Sequence, residues 1–385
     1  MGFAGDYSAN GGTAPVRMGG DRGHDGKGVT LKNLLKSMVA GALRAARPLA
    51  RAWARPGYFA PCDWARIAPR RVALVCCHWI GDTLWATQVV TPLTARFPGA
   101  ELHAVTKPAC VDLWRGWLPA ERVHAAPEVV SDSRREPVSW RALGRRAREL
   151  RRLDLDLVVD LTGNRYSACF TFRLRPARAL GFDGGELGWL YSHRVRDAER
   201  PGRHLCERPF RVVEPLLAAA PDPFPCPRVP RPPEAPGTAE EALREMGLDA
   251  GPFFILVPGA GWPEKEWAWE SFARAGRELA ARGRIIVTGA PAQRELLERV
   301  ARDIPEARVS CAPVGKVLPL LRAAAGVLAN DSGLAHLSAA YGRPTAAVFT
   351  GATDPLAYAP LGPAAKTFPA NATPEAVAEF LLRGV

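Results

Sequence analysis

No two of the eight cysteines, at 62, 76, 77, 110, 169, 206, 226 and 311, stand at C-x-x-C spacing, and none cluster in a zinc-like pattern. That absence removes thiol-redox and zinc-clip readings. Cys76 and Cys77 are adjacent in an apolar, strand-like run, where they face opposite sides of the backbone and cannot readily bond to each other. Free thiols in a reducing, cytoplasmic setting are expected. Long apolar runs are also lacking near the start. The longest uncharged stretch there, Ser37 to Leu43, is too short for a secretory signal and far too short to span a bilayer. Compositional bias is lacking too: 47% apolar and 23% charged residues describe a packed globular chain, in which disorder is local.

Acidic residues are scarce in one place. The 385-residue chain carries a formal charge of +12, and residues 1 to 71 hold twelve Lys and Arg against four Asp and Glu, a surplus of eight. The rest is only mildly basic, so attraction to a polyanion is concentrated in an N-terminal extension. Residues 1–28, with nine glycines and no apolar periodicity, read as a disordered leader. Residues 29–70 read as a basic amphipathic extension. Leu31, Leu34, Leu35, Met38, Ala42 and Ala45 share one helical face and Lys32, Lys36, Arg44, Arg47 and Arg51 another, with a break at Pro48. Such a segment is either a peripheral membrane anchor or a helix packed on the body.

The length suggests two domains and therefore a cleft. From Arg71, strand-length apolar runs alternate with helical patterns. In the first half, over 71–220, strands are predicted at 72–77, 101–106, 155–161 and 179–182, with helices at 83–97, 108–117 and 166–174. Eight prolines between Pro221 and Pro236 mark a linker over 221–237. The second half, over 238–385, opens with a capping box of Thr238 and Glu241. Strands are predicted there at 253–257, 284–288, 327–330 and 345–349, with helices between them and a last helix capped by Thr373 with Pro374 at its first position. This alternation implies an α/β fold of two doubly wound, Rossmann-like parallel sheets.

In such sheets ligands lie beyond the carboxyl ends of the strands. Three loops there carry chemistry. At Asn330 to His336 the backbone N–H groups of Ser332, Gly333 and Leu334 open a helix and make an anion site; the plain alternative is that Asp331 or Ser332 caps the helix and His336 packs beneath it. The turn Pro258, Gly259, Ala260, Gly261 leads to Lys265 and Trp267, placing an ammonium beside a diphosphate, although a lysine at a helix start is commonly just solvated. Ile80, Gly81, Asp82 and Thr83 set a carboxylate on the opposite wall, either to take a proton or to cap a helix. Basic groups of the first half, Lys107, Arg165, Arg173 and Arg175, suit an anionic acceptor. A helix-like run from Arg141 to Arg152, with Trp140, Leu143, Ala147 and Leu150 inward, is either solvated or turned to a membrane.

Together these residues resemble glycosyltransferase family nine, the bacterial ADP-heptose:lipopolysaccharide heptosyltransferases. The resemblance runs from about Arg71 to the C-terminus. It is carried by Gly81 and Asp82, by Lys265 to Trp267, and by Asp331, Ser332, Gly333 and His336, followed by Gly342, Pro344, Gly351, Thr353, Asp354 and Pro355. Val159, Asp160, Gly163, Arg165 and Ser167 match more loosely, as do His204 and Arg208. It implies the two-domain GT-B fold, with an acceptor-binding first half and a donor-binding second half, and inverting transfer with no metal and no cofactor beyond the nucleotide-sugar donor. Asp82 would be the general base. Lys265 would offset the charge of the departing diphosphate, and Gly259, Ala260, Ser332, Gly333 and Leu334 would line the donor site with Asp331 and His336. Lys107, Arg165 and Arg173 would meet a lipopolysaccharide core or related anionic glycan at the inner-membrane surface. Two departures stand out: the bulky Trp262 and Pro263 before Lys265, and the extension before Arg71. A non-catalytic nucleotide-sugar binder or assembly protein, or transfer of heptose to a protein, are the alternatives. Nucleic acid is not an expected partner, because no reading module or interleaved aromatics accompany the basic residues.

Overall fold

The structure, a computed structural model, describes residues 45–126, 139–183, 187–196, 204–217 and 226–383. Nearly all the described residues belong to one compact unit, Pro48–Val385, which is separate from Met1–Arg47. The leader expected over 1–28 and most of the amphipathic stretch after it lie outside the described residues.

The larger unit holds two six-stranded sheets, parallel throughout. The first comprises β1 (Arg71–Cys76), β2 (Glu101–Thr106), β3 (Val123–Ala125), β4 (Leu157–Asp160), β5 (Arg178–Phe182) and β6 (His193–Val195), in the order β3-β2-β1-β4-β5-β6. The other comprises β7 (Phe253–Val257), β8 (Arg284–Thr288), β9 (Arg308–Ser310), β10 (Gly326–Asn330), β11 (Thr345–Phe349) and β12 (Ala365–Pro369), in the order β12-β11-β10-β7-β8-β9. Each sheet thus reads third, second, first, fourth, fifth, sixth, the doubly wound order. The direction of winding reverses between β1 and β4 in one and between β7 and β10 in the other, so the loops leaving those four strands flank the crevices.

The central strands are buried on both faces, as continuous apolar runs require. Val72, Leu74 and Cys76 join one core cluster, while Ala73, Val75 and Cys77 join another across the sheet. The two adjacent thiols therefore do point apart, and burial raises both well above the ordinary thiol range, Cys76 to about 12. β2, β7, β8 and β11 match the sequence reading residue for residue.

Several expectations change. The helix predicted over 83–97 is two helices, Ile80–Thr87 and Val90–Arg96. Pro92 has no N–H for the carbonyl of Gln88 and crowds it, so the first helix stops there. The Gln88 and Thr87 side chains instead satisfy the Leu84 carbonyl, at 2.9 and 2.8 Å. Packing also begins before Arg71. Ala50 and Tyr58 are buried with Phe172, Leu190 and Tyr191, and the Tyr58 hydroxyl donates to the Leu190 carbonyl at 2.8 Å. In the Trp140–Leu150 helix Leu143, Ala147 and Leu150 face inward as their spacing demands, but Trp140, expected with them, is 47% exposed. At position one of the helix it lies beyond the edge of the covered face.

The proline-rich segment after Cys226 is held along the body. Gln88 and Arg231 exchange two hydrogen bonds, at 3.1 and 2.9 Å, and the Tyr341 hydroxyl donates to Pro233 at 2.7 Å. Among the described residues no helix is long and apolar enough to cross a membrane.

Candidate active site

The loops after β7, β10 and β11 meet around one carboxylate. Asp331, directly after β10, accepts from Lys265 Nζ and from Thr353 Oγ1 on the same oxygen, each at 2.7 Å. Asp331 is buried and Lys265 only 18% exposed, so this is an ion pair largely out of water. Such a pair is retained only where hydrogen bonding offsets desolvation, which the Thr353 hydroxyl supplies. Asn330, one residue earlier, locks the neighbouring loop: its Oδ1 accepts from the Trp267 amide at 2.9 Å and its Nδ2 donates to the Pro258 carbonyl at 2.7 Å. Lys265 is thereby aimed from a loop with little freedom, with aromatic rings of Trp262 and Tyr358 at 5.7 and 5.5 Å.

The Gly333–Ala340 helix starts at Ser332, which is extended and makes no side-chain capping bond. First-turn amides of a helix have no partner within it. With the cap side chain disengaged they remain donors, and the helix dipole favours an anion before them. The Ser332 hydroxyl is itself buried without a hydrogen-bond partner among the described residues.

The opposite wall is the Ile80–Thr87 helix, with Asp82 in its first turn. The two helices meet through glycine. A Cβ on Gly333 would collide with the Ile80 side chain, and one on Gly81 would lie 2.9 Å from the His336 ring. The sequence reading gave the Gly333 amide to an anion site; the structure shows in addition that its missing side chain serves helix packing. Each glycine is needed because the halves touch there.

His336 sits under this contact and senses all the charged groups around it. Burial is the main cause that lowers its pKa, to about 4. Asp331 and Asp82 act to raise it, while His204 and Lys265 lower it further. The imidazole is therefore neutral at pH 7, and Asp82, Asp331 and Lys265 share one electrostatic neighbourhood. On the same side His204 ties the halves: its Nε2 donates to the Ala359 carbonyl at 2.8 Å, its Nδ1 accepts from the Cys206 amide at 3.1 Å, and the Leu205 amide reaches the Ala357 carbonyl at 3.0 Å. Burial lowers the pKa of His204 as well, consistent with that neutral tautomer.

The other expected residues are placed unequally. Ala260 lies in the crevice loop, but its amide already donates to Glu266 Oε1 at 3.2 Å and its carbonyl accepts from Gln293 at 3.0 Å. Gly259 packs against the Gln293 amide. Lys107, at the end of β2, lies 4.0 Å over the Trp79 ring. Arg165 opens its helix and donates to the Tyr166 hydroxyl at 2.8 Å. Arg173 closes that helix, roughly 12 Å away along the axis at about 1.5 Å per residue. Arg165 and Arg173 thus stand at opposite ends of one helix. Asp160, matched loosely by the resemblance, is wholly buried, accepting from the Thr162 amide at 2.8 Å and the Tyr191 hydroxyl at 2.7 Å, a structural role.

Sequence reasoning missed one feature of the mouth. Trp79 and Trp262, one from each half, meet edge to face with ring centres 5.6 Å apart. Both are nearly half exposed, at 46% and 45%. Only their bulk beside glycine turns hinted at it.

Comparison with known proteins identifies the family and the fold. The model of glycosyltransferase family 9 (heptosyltransferase) matches residues 143–379. Lipopolysaccharide heptosyltransferase 1 of Pseudomonas aeruginosa is 27% identical over 309 residues, covering 74% of this chain and 79% of the relative. The Escherichia coli K12 enzyme of the same name is 27% identical over 305 residues, covering 74% and 89%. Among solved structures, E. coli ADP-heptose lipopolysaccharide heptosyltransferase II superposes with a TM-score of 0.66 at 19% identity, over 82% of this chain and 98% of that one. E. coli heptosyltransferase WaaC with ADP does so with 0.63 at 22% identity, over 82% and 100%. These last two establish the fold.

Proposed function

The chain belongs to glycosyltransferase family 9, the heptosyltransferases, and is a glycosyltransferase of the GT-B fold; on that premise we propose that it moves heptose from ADP-heptose to an anionic acceptor of the lipopolysaccharide core, at the cytoplasmic face of the inner membrane. The observation that carries the reading is the meeting of two helix starts, one bearing Asp82 and the other undercapped beside the Lys265–Asp331 pair, with neutral His336 between them.

The reaction is an inverting displacement. The acceptor hydroxyl attacks the anomeric carbon from the face opposite the diphosphate, Asp82 takes the hydroxyl proton, and the bond from that carbon to the diphosphate oxygen breaks, with the electron pair leaving on ADP. Negative charge grows on the leaving oxygens. Fixed donors aimed there lower the barrier most, because they need no reorganisation as charge develops. The amides at Ser332, Gly333 and Leu334 serve as such donors. Lys265 has three N–H groups, of which Asp331 uses one, leaving two for the diphosphate. Asp331 and Thr353 then orient Lys265, and the neutral His336 supports the helix start without adding a competing cation. Gly259 and Ala260, with Glu266 and Gln293, shape the donor loop. Trp79 and Trp262 guard the entrance, and Lys107 and Arg165 face the acceptor side. The proline-rich stretch 221–237 divides the acceptor half from the donor half, and protein cations take the place a divalent ion holds in other transferases.

The test is release of ADP and gain of one heptose on a purified core glycolipid, followed by mass spectrometry, together with the glycolipid of a strain lacking the protein. Binding of ADP without any transfer would leave a nucleotide-sugar binder. A glycolipid unchanged in the deletion strain would direct the search to a protein acceptor.

A further inference from the structure

Away from the crevice, the face formed by the helices Trp140–Leu150 and Arg165–Arg173 carries a concavity of about 620 Å³ lined by Arg141, Arg145, Arg148, Arg151, Arg173 and Trp140. Among the described residues no carboxylate lines it. Among the described residues none of these five arginines forms a side-chain ion pair, whereas Arg146 on the same helix pairs with Glu149 at 2.9 Å. Gly144 makes the concavity possible, since a Cβ there would lie 2.8 Å from the Arg173 guanidinium. Burial, and after it the neighbouring guanidinia of Arg175, Arg148 and Arg173, hold Arg151 below its ordinary range. Five like charges with no described carboxylate among them repel one another, and an anion in their midst relieves that repulsion.

The rim is aromatic and apolar. Arg151 and Arg175 stack on Trp53 at 4.9 and 5.1 Å, and Trp53 remains 36% exposed. Trp140 stands at the other end, and Leu49, one turn before Trp53, is 74% exposed. Exposed guanidinia flanked by part-exposed tryptophans match the interface of an anionic bilayer, where phosphates meet the arginines and indole rings lie at headgroup level.

We propose that this face docks on an anionic lipid surface, with the arginine-lined concavity receiving headgroup phosphates and Leu49, Trp53 and Trp140 entering the interface. The proposal shares with the functional reading only the membrane location, and vesicle binding needs no catalysis, so either can fail alone. Each basic group near an anionic leaflet is worth about fivefold in partitioning.

The experiment is co-sedimentation of the full chain with vesicles of phosphatidylglycerol and phosphatidylcholine, and with phosphatidylcholine alone. The triple variant Arg145→Gln, Arg148→Gln, Arg173→Gln is compared with Arg282→Gln, Arg302→Gln, Arg308→Gln, which removes the same charge from exposed sites in the other half. The expected result is a loss of about a hundredfold for the first set on anionic vesicles, under threefold for the second, and an unchanged thermal midpoint for both. Equal losses in the two sets, or no loss in either, would overturn the proposal, as would a single-stranded oligonucleotide that displaces the vesicles and is held by the same three arginines. Trp53→Ala and Trp140→Ala should each weaken binding several-fold without altering its salt dependence. No weakening in either would refute the interfacial part.

Discussion

Both sheets run their six strands in the same order, yet the halves put their charge in opposite places. In the second half the important cation, Lys265, is turned inward and held by a buried carboxylate. In the first half five arginines gather around one outward concavity, with no carboxylate among its described lining residues. An internal pair fixes geometry at the cost of desolvation, which suits stabilising charge that appears only during reaction. An external cluster stays hydrated and reaches far, which suits recognising a large anionic surface. The same topology therefore serves precision on one side and attraction on the other, and the difference lies in the loops and helix faces, not in the strands.

That contrast can be broken at several points, the largest first. Asp82→Asn is expected to lower kcat about a thousandfold, the scale of a lost general base, with ADP affinity by calorimetry changed less than about twofold. Retained transfer would mean that the first half supplies no chemistry. Lys265→Met should destabilise the protein by about 3 kcal/mol in urea unfolding, since Asp331 is left buried with only Thr353. Adding Asp331→Leu should recover most of that loss while activity stays absent. If the single variant is as stable as wild type, the pair is not the internal anchor described.

His336 offers a pH test. Its folded pKa, about 4, lies below the usual 6.5, so the unfolded chain takes up a proton in that interval before the folded one does. Stability present above pH 6.5 is therefore lost progressively as pH falls toward 4, on the order of 3 kcal/mol for this group. His124, also lowered to about 4 mainly by burial, adds to the same slope. His336→Asn should flatten the fall in unfolding free energy across the window, and an unaltered slope would remove His336 from the buried network. The smallest effect concerns the contact between the halves. Gly333→Ala should cost about 2 kcal/mol by overpacking against Ile80, and Ile80→Ala in the same chain should relieve it. Additive losses in the double variant would show that the helices do not press on each other there.

Much of this was legible in the residues. The central strands could be read because they are buried on both faces and written as unbroken apolar runs; the caps at Thr238 and Thr373 because their partners are three residues away. The four edge strands were not foreseen: β3, β6 and β9 have three residues each and are at most half buried, and β12, with five, has only Phe368 buried, so none carries an apolar run to see. Of the candidate site, Asp82, Lys265, Asp331 and the amides after it were found by their position after strands. The Lys265–Asp331–Thr353 bonds, the Trp79–Trp262 contact and the His204 tie join residues far apart in the chain, and nothing local announces them.

The amino-acid order by itself determined the central elements, the two doubly wound sheets and which loops leave the strands at the crevices, because hydrophobic period, caps and prolines act over a few residues. The tertiary structure alone decided that Gly333 packs against Ile80, that Lys265 is already paired, and that five arginines share one hollow. Those outcomes depend on distances between separate elements, and such distances are set only when the whole core closes.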